Sequence, residues 1–222
     1  MKQSILNALI NPAAFFEEAS GEPENLRIPA LIVAAGGIVA AASGYIVSGP
    51  TSQMLAGAMP SIGSIIILGA VIGALAGTFI FWAIWSGLIF AISSAFKGKG
   101  TFRRTMEFVA YGFIPQIFGS FITLVLALEY IPRVAVPKIT SAMMQDPQVM
   151  QDTVKALMHD PAMLEFSQIA TVISIVFLLW SANIWIFGAK HSRQLAMRDS
   201  VICVMVPVLA FVFYTLYTLA VV

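Results

Sequence analysis

Long apolar runs alternate with short polar segments along the chain, and this alternation predicts its elements. A helix needs about 20 apolar residues to cross the roughly 30 Å hydrocarbon core of a membrane. Five runs reach that length, which predicts an all-α, polytopic membrane bundle. The predicted spans are about 28–47, 64–94, 105–128, 168–188 and 201–222. The run that holds the second span is too long for one perpendicular helix, so that helix must tilt, bend or extend beyond the membrane.

The chain divides into a cytoplasmic or interfacial amphipathic segment, 1–27, and a membrane domain, 28–222. In the first part, Asn11 before Pro12 is a typical start of a short helix. We expect that helix to lie on the base of the bundle. Residues 48–60 carry no charge and contain a Gly-Pro pair, which predicts a loop.

Residues 129–167 are the most hydrophilic stretch, and an Asp-Pro pattern occurs twice within it. Asp146 and Asp160 each precede a proline and can cap a helix. The stretch therefore predicts an outer loop of short amphipathic helices with methionine-rich faces. The pattern resembles the Asp-Pro helical repeats of STI1-type chaperone modules, which hold hydrophobic helices in a groove. We favour the simpler interpretation that these helices pack on the bundle.

The most basic segment joins spans two and three, over residues 93–116. Its four cations are Lys97, Lys99, Arg103 and Arg104. Gly98 and Gly100 interrupt any helix between them. A basic segment at a membrane surface is the natural partner of anionic lipid headgroups. We therefore predict these four side chains as a lipid- or partner-binding site.

The helix after the basic segment has its own polar features. Thr101 or Thr105 can cap it, and Glu107 has the spacing of a local ion pair with the arginines before it. Pro115 removes a backbone hydrogen bond and should kink the helix on the face that also carries Tyr111.

Composition and charge narrow the class of protein. The chain is 59% hydrophobic and 10% charged, against roughly 25% charged residues in soluble domains, so it is an integral membrane protein. A net charge of +1 gives no indication of nucleic-acid binding. Nine lysines and arginines fall on one side of a five-span topology and three on the other. The positive-inside rule then predicts a cytoplasmic N-terminus and an outer C-terminus.

Enzyme motifs are not found in the sequence: it has no H-E-x-x-H, no Walker loop and no G-x-S-x-G. We expect no catalytic residue, no metal and no cofactor. Gly69, Gly73 and Gly77 form a small-residue ridge, which predicts close helix packing within the bundle rather than between copies. Asn183 predicts an interhelical hydrogen bond. Polar residues of spans two to four are the remaining candidates to line a cavity: Tyr111, Gln116, Ser120 and Asn183.

Several motifs in this order resemble the prokaryotic branch of the Yip1 family. They are Asn11-Pro12 with Phe15-Phe16, FKGKGTFRR over 96–104, AYGFIP over 110–115 and WIFGAKHSRQLA over 185–196. The resemblance implies a five-span membrane protein. Its eukaryotic members are trafficking proteins that bind prenylated Rab GTPases and partner Yip proteins, whereas prokaryotic members have no assigned activity.

Together these observations predict a non-enzymatic, multi-pass protein of a prokaryotic cytoplasmic membrane. We expect it to organise the membrane or to bind lipid, anionic lipid above all, or a membrane-protein partner, or to form a homo-oligomer. The alternative function is transport of a small molecule or lipid through a polar cavity between spans two and four. A third hypothesis makes the Asp-Pro loop a binder of hydrophobic helices.

Overall fold

The computed structural model describes residues 5–140 and 143–221, and its elements there are helices and turns without a β-strand. The helices are α1 Ile5–Ile10, α2 Pro12–Ser20, α3 Arg27–Val47, α4 Gly49–Ala56, α5 Pro60–Ala95, α6 Phe102–Tyr111, α7 Phe113–Tyr130, α8 Pro147–Met158, α9 Pro161–Arg193 and α10 Met197–Val221. Short 3₁₀ turns occupy Ile131–Arg133 and Met143–Gln145. Lys2, one of the residues used to predict the orientation, and Val222, the predicted end of the fifth span, lie outside the described residues.

Five helical segments in the described part are long and apolar enough to cross a membrane, as the hydrophobic pattern predicts. They are Arg27–Ala56, Ser61–Ala95, Phe113–Arg133, Pro161–Arg193 and Met197–Leu219. With 36 residues, α5 is about 54 Å long at 1.5 Å per residue. It therefore extends well beyond a hydrocarbon core of roughly 30 Å, which accounts for the long apolar run.

Local capping agrees with the sequence at four helix starts. The Asn11 side chain accepts a hydrogen bond from the backbone N–H of Ala14, at the start of α2. Thr101 caps α6, while Asp146 and Asp160 cap α8 and α9. These contacts span two or three residues, so the sequence alone can specify them.

Three segments differ from their predicted form. The predicted loop 48–60 contains α4, whose Met54 is buried against a small apolar cluster with Ile139 and Leu157. The predicted outer loop already includes the start of α9 at Pro161, and that helix continues to Arg193 instead of ending near 188. The burial of apolar side chains extends helices beyond the bounds that hydropathy suggests.

The third predicted span, 105–128, is two helices, because the chain breaks between α6 and α7 at Gly112. The membrane-length segment begins only at Phe113. Pro115 has no backbone N–H for the carbonyl of Tyr111, four residues earlier, and its ring crowds that carbonyl. The predicted kink at Pro115 is therefore found one turn before the proline, as a complete break.

Helices α3, α5, α7, α9 and α10 form the bundle. Helix α3 packs against α5 and α7, and α9 packs against α7 and α10. The end that carries the basic segment, here called the basic end, is closed by α6 and by α2. Its core is the larger of the apolar clusters and is rich in aromatic side chains. The opposite end, here called the α8 end, is covered by α4 and α8, so the methionine-bearing helix α8 packs on the bundle.

The glycine ridge of α5 does not pack as predicted. A Cβ atom built on Gly69, Gly73 or Gly77 would meet nothing within 4 Å. Within the described chain Gly69 and Gly73 are exposed, and Gly77 borders a cavity next to α3 and α7, so the helix contacts its neighbours through other residues.

Candidate functional site

The connection between α5 and α6 brings the predicted basic residues to the basic end. Helix α5 ends at Ala95, and Gly98 and Gly100 both lie in the connection, as predicted. Lys97 has a φ of 58° and Gly100 a φ of 98°. A Cβ on Gly100 would also overlap the carbonyl oxygen of Ser192. The connection is thus a tight, irregular turn that the last residues of α9 approach closely.

Arg193, the last residue of α9, holds this turn in place, and only 3% of its surface is exposed. Its guanidinium donates hydrogen bonds to the carbonyls of Gly98 and Gly100 and, at 2.8 Å, to the hydroxyl of Ser93. The guanidinium also lies 4.0 Å from the centre of the Phe90 ring. In return, the backbone carbonyl of Arg193 accepts from the N–H of Lys99 at 2.8 Å.

Sequence reasoning misses this role, because there Arg193 is one of the nine cations on one side of the predicted topology and a member of the motif over 185–196. Its partners lie 93–100 residues earlier in the chain. The sequence offers one signal: Arg193 lies at a helix end with the other basic residues Lys190 and His191. This position does not reveal which residues Arg193 contacts.

Arg104, the fourth predicted lipid ligand, is already engaged inside the protein. Its guanidinium forms a salt bridge of 2.9 Å with Glu107 and donates to the backbone carbonyls of Ala19 and Glu22. The local ion pair predicted for Glu107 is therefore confirmed. Arg104 ties α6 to the segment that follows α2, so its part in the basic site is structural.

Glu107 is buried, with 7% of its surface exposed. Burial raises the pKa of its carboxyl, and the nearby Arg104 and a backbone N–H of Asn25 oppose that rise. A second contact joins the same elements, because the Thr101 hydroxyl hydrogen-bonds the Glu24 carboxylate. The start of α6 is thus fixed by polar contacts to the connection between α2 and α3.

Three predicted cations remain free at this end. Lys97, Lys99 and Arg103 are exposed, and across the described residues no carboxylate lies within ion-pair distance of them. Two of them stand on the turn that Arg193 holds, and the third lies in the first turn of α6. We call these three residues the basic platform.

The N-terminal helix α2 packs on α6, the helix that carries Arg103 of the platform. Phe16 is fully buried, and its ring centre lies 4.8 Å from that of Phe108. The Phe15 ring centre lies 4.9 Å from that of Tyr111, which is also buried. Burial, with smaller contributions from Glu107 and Glu22, raises the pKa of Tyr111 to about 12. Such aromatic contacts add to simple burial, so Tyr111 serves the packing of α2 on α6.

Two tryptophans use the carbonyls near the break between α6 and α7. The indole N–H of Trp185 donates to the carbonyl of Val109 at 2.8 Å, and that of Trp82 donates to the carbonyl of Met106 at 2.9 Å. Gly112 lies against the Trp185 ring, and a Cβ there would come within 2.7 Å of Cε2 and closer still to Nε1. The absence of a side chain at Gly112 therefore leaves room for the indole that donates to the Val109 carbonyl.

The polar candidates for a cavity do not come together as one set. Gln116 and Ser120 line a groove between α3, α7 and α9 of about 410 Å³. Tyr111 lies instead in the aromatic core, away from the groove. Asn183 is exposed on α9, and its side chain makes no hydrogen bond within the described chain, so the predicted interhelical bond is not formed.

Comparison with known proteins identifies a relative and a family. The chain is similar to an uncharacterized protein of the archaeon Methanocaldococcus jannaschii, with 33% identity over 124 residues. That stretch is 56% of this chain and 88% of the archaeal protein. No solved structure matches the chain. The family model of the Yip1 domain matches residues 6–219, and this range includes all five candidate spans. The chain therefore belongs to the Yip1 family.

Proposed function

We propose that this protein is a non-enzymatic membrane scaffold whose basic platform binds the headgroups of anionic lipids. The observation that carries the proposal is the immobilised turn between α5 and α6. Arg193 fixes its backbone from below, while Lys97 and Lys99 project from it without a carboxylate partner in the described chain. A turn held in advance loses less conformational entropy when it binds a ligand.

The location of the platform suits a lipid headgroup. The platform lies just beyond the end of α5, a helix long enough to span the hydrocarbon core and continue past it. The proposed orientation places this end at the cytoplasmic leaflet, which is rich in anionic lipids in most cells. Each lysine or arginine near such a surface contributes about 1 kcal/mol. Three cations therefore suffice to enrich anionic lipid locally, and added salt should weaken the effect.

A scaffold of this kind can also recruit a second membrane protein or another copy of itself. The exposed Gly69 and Gly73 of α5 and the exposed Asn183 on α9 are the surfaces available for such contacts. We include these partners in the proposal as secondary to lipid, because the charges of the basic platform favour a lipid headgroup.

The test compares two triple variants of the full-length chain in nanodiscs of phosphatidylcholine with a minority of phosphatidylglycerol. One variant replaces Lys97, Lys99 and Arg103 by glutamine. The matched control replaces the three cations towards the α8 end, Arg133, Lys138 and Lys155. Native mass spectrometry counts the retained lipids. We expect the preference for phosphatidylglycerol to fall at least about tenfold in the platform variant alone.

An equal loss in both variants, or no loss in either, would refute the proposal. An unchanged melting temperature shows that the platform variant is folded. We expect the melting temperature to stay unchanged, because the substituted side chains are exposed and contribute little to packing.

Transport is the second candidate function, and the groove that Gln116 and Ser120 line is the observation that favours it. Towards the basic end, the bundle interior is filled by the aromatic cluster around Trp85, Trp185 and Phe113. A solid core of this kind favours the scaffold. Flux of a small solute into proteoliposomes above that of empty liposomes would instead support transport.

A further inference from the structure

The groove between α3, α7 and α9 differs chemically from the rest of the bundle. Its cavity of about 410 Å³ lies towards the α8 end, within the length of the candidate spans. That volume falls in the range of small-molecule sites, about 300–1,000 Å³. Its polar lining consists of five hydroxyl side chains and one amide: Ser43, Ser120, Thr123, Thr171, Ser174 and Gln116.

Several hydroxyl groups elsewhere in the spans are satisfied by their own helix, although the buried Ser192 hydroxyl has no partner among the described residues. Ser86 donates to the carbonyl of Trp82 at 2.7 Å, and Thr215 donates to that of Phe211 at 2.8 Å. Ser200 likewise donates to the carbonyl of Ala196. This bond to the carbonyl four residues earlier is the usual solution for serine and threonine in a helix.

Most hydroxyls of the groove do not adopt that solution. The Ser43 hydroxyl oxygen is buried and has no hydrogen-bond partner in the described chain. The side chains of Ser120, Thr123 and Thr171 also make no hydrogen bond to any described residue. Ser174 is the exception, since it donates to the carbonyl of Thr171. Four hydroxyls on three helices around one cavity thus lack a partner among the described residues, and those of Ser120, Thr123 and Thr171 are not among the fully buried ones.

Gln116 is held in place beside them. Its amide nitrogen donates to the Ser181 hydroxyl at 3.1 Å, and Ser181 in turn donates to the carbonyl of Phe177 at 2.9 Å. This chain of bonds leaves the amide oxygen of Gln116 without a donor among the described residues. The groove therefore offers both hydrogen-bond donors and a free acceptor.

The ligand class follows from what the lining lacks. No acidic or basic side chain lines the cavity, and a bare charge at this depth would be costly without a counter-charge. An apolar cavity of about 330 Å³ adjoins the groove and shares Ala40, Gln116 and Ser120 with it. We propose that the groove binds a neutral lipid through its hydroxyl and ester groups, with hydrocarbon in the adjoining cavity; a diacylglycerol has this chemistry.

The experiment uses a photoactivatable diacylglycerol and the full-length chain in phosphatidylcholine nanodiscs. The groove variant combines Ser120→Ala, Thr123→Val and Thr171→Val, which remove hydroxyls with little change of shape. The control variant removes the same number of back-bonded hydroxyls outside the groove. Its substitutions are Ser200→Ala, Thr215→Val and Thr218→Val.

We expect saturable labelling of peptides from α3, α7 or α9, with about tenfold weaker apparent affinity in the groove variant. The control variant should label like the unmodified chain. A second variant, Ala170→Leu, fills the mouth of the groove without removing a hydroxyl and should also abolish labelling. Melting temperatures of all variants establish that they are folded.

Three results would overturn the proposal: labelling that does not saturate, labelling equal in the groove and control variants, or equal competition by phosphatidylglycerol. The first of these is the result expected if only water occupies the groove. The outcome is independent of the basic platform, because the groove lies towards the other end of the bundle and the platform variant leaves it intact.

Discussion

The contact between Gly112 and Trp185 gives the sharpest prediction about the fold. The change is Gly112→Ala. Gly112 has a φ of −69°, a conformation that alanine adopts without strain, so the effect is purely one of space. A Cβ atom would come within 2.7 Å of Cε2 of the indole and closer to Nε1. The Trp185 side chain is buried, with 1% of its surface exposed, so other core side chains surround the ring.

The cost has two parts. Inserting one methyl group into a packed core typically costs about 1–3 kcal/mol. Displacing the indole also breaks its 2.8 Å hydrogen bond to the carbonyl of Val109, and leaving the buried indole N–H unpaired costs about 1–3 kcal/mol. We therefore expect Gly112→Ala to reduce the free energy of unfolding by about 2–6 kcal/mol.

The assay is thermal unfolding of the purified chain in detergent, followed by tryptophan fluorescence. The matched control is Gly73→Ala, the same substitution at a helical site where a Cβ meets nothing within 4 Å. Alanine should be neutral there, or stabilising by about 0.5–1 kcal/mol because of its helix propensity. In a double-mutant cycle, Trp185→Phe should reduce the cost of Gly112→Ala. Equal melting temperatures for the two alanine variants would refute the reasoning.

Two further predictions concern the basic end. Arg193→Lys should speed trypsin cleavage after Lys97 and Lys99 about tenfold or more, because one ammonium cannot replace a guanidinium that bonds several groups. Arg198→Lys is the control. Equal cleavage rates in the two variants would contradict the role of Arg193. Burial raises the pKa of Glu107 above its ordinary 4.5. Between the ordinary pKa of the unfolded chain and the raised pKa of the folded chain, the folded chain therefore binds a proton that the unfolded chain has released. Stability relative to Glu107→Gln should therefore fall as the pH rises through that window, and a constant difference in paired melts would contradict this.

Interactions between residues close in sequence were predictable because helix geometry fixes their spacing. Asn11 and Thr101 cap their helices, and Arg104 pairs with Glu107 three residues later. The number of membrane-length segments followed from hydropathy for a similar reason, since a span must keep some 20 consecutive apolar residues. The position of the helix break was less well predicted. The helix is interrupted one turn before Pro115, at Gly112, where the lack of a side chain leaves room for the Trp185 indole.

Contacts between distant residues could not be predicted. Arg193 holds a turn some 100 residues earlier in the chain, and Trp185 reaches a carbonyl 76 residues away. The groove hydroxyls come from three helices, and nothing in the sequence distinguishes Ser120 from Ser86, which bonds its own helix. Such roles depend on which helices become neighbours.

The glycine ridge of α5 shows the physical reason. In a soluble protein, polar side chains mark the outer face of a helix, so the pattern reveals which side packs inward. A membrane span is apolar all round, and lipid is as apolar as the interior of the bundle. The sequence by itself therefore determined the number of spans, four helix caps and the charged end. Only the tertiary structure decided that Gly69 and Gly73 face outward, while Gly112 and the groove hydroxyls face a neighbouring helix.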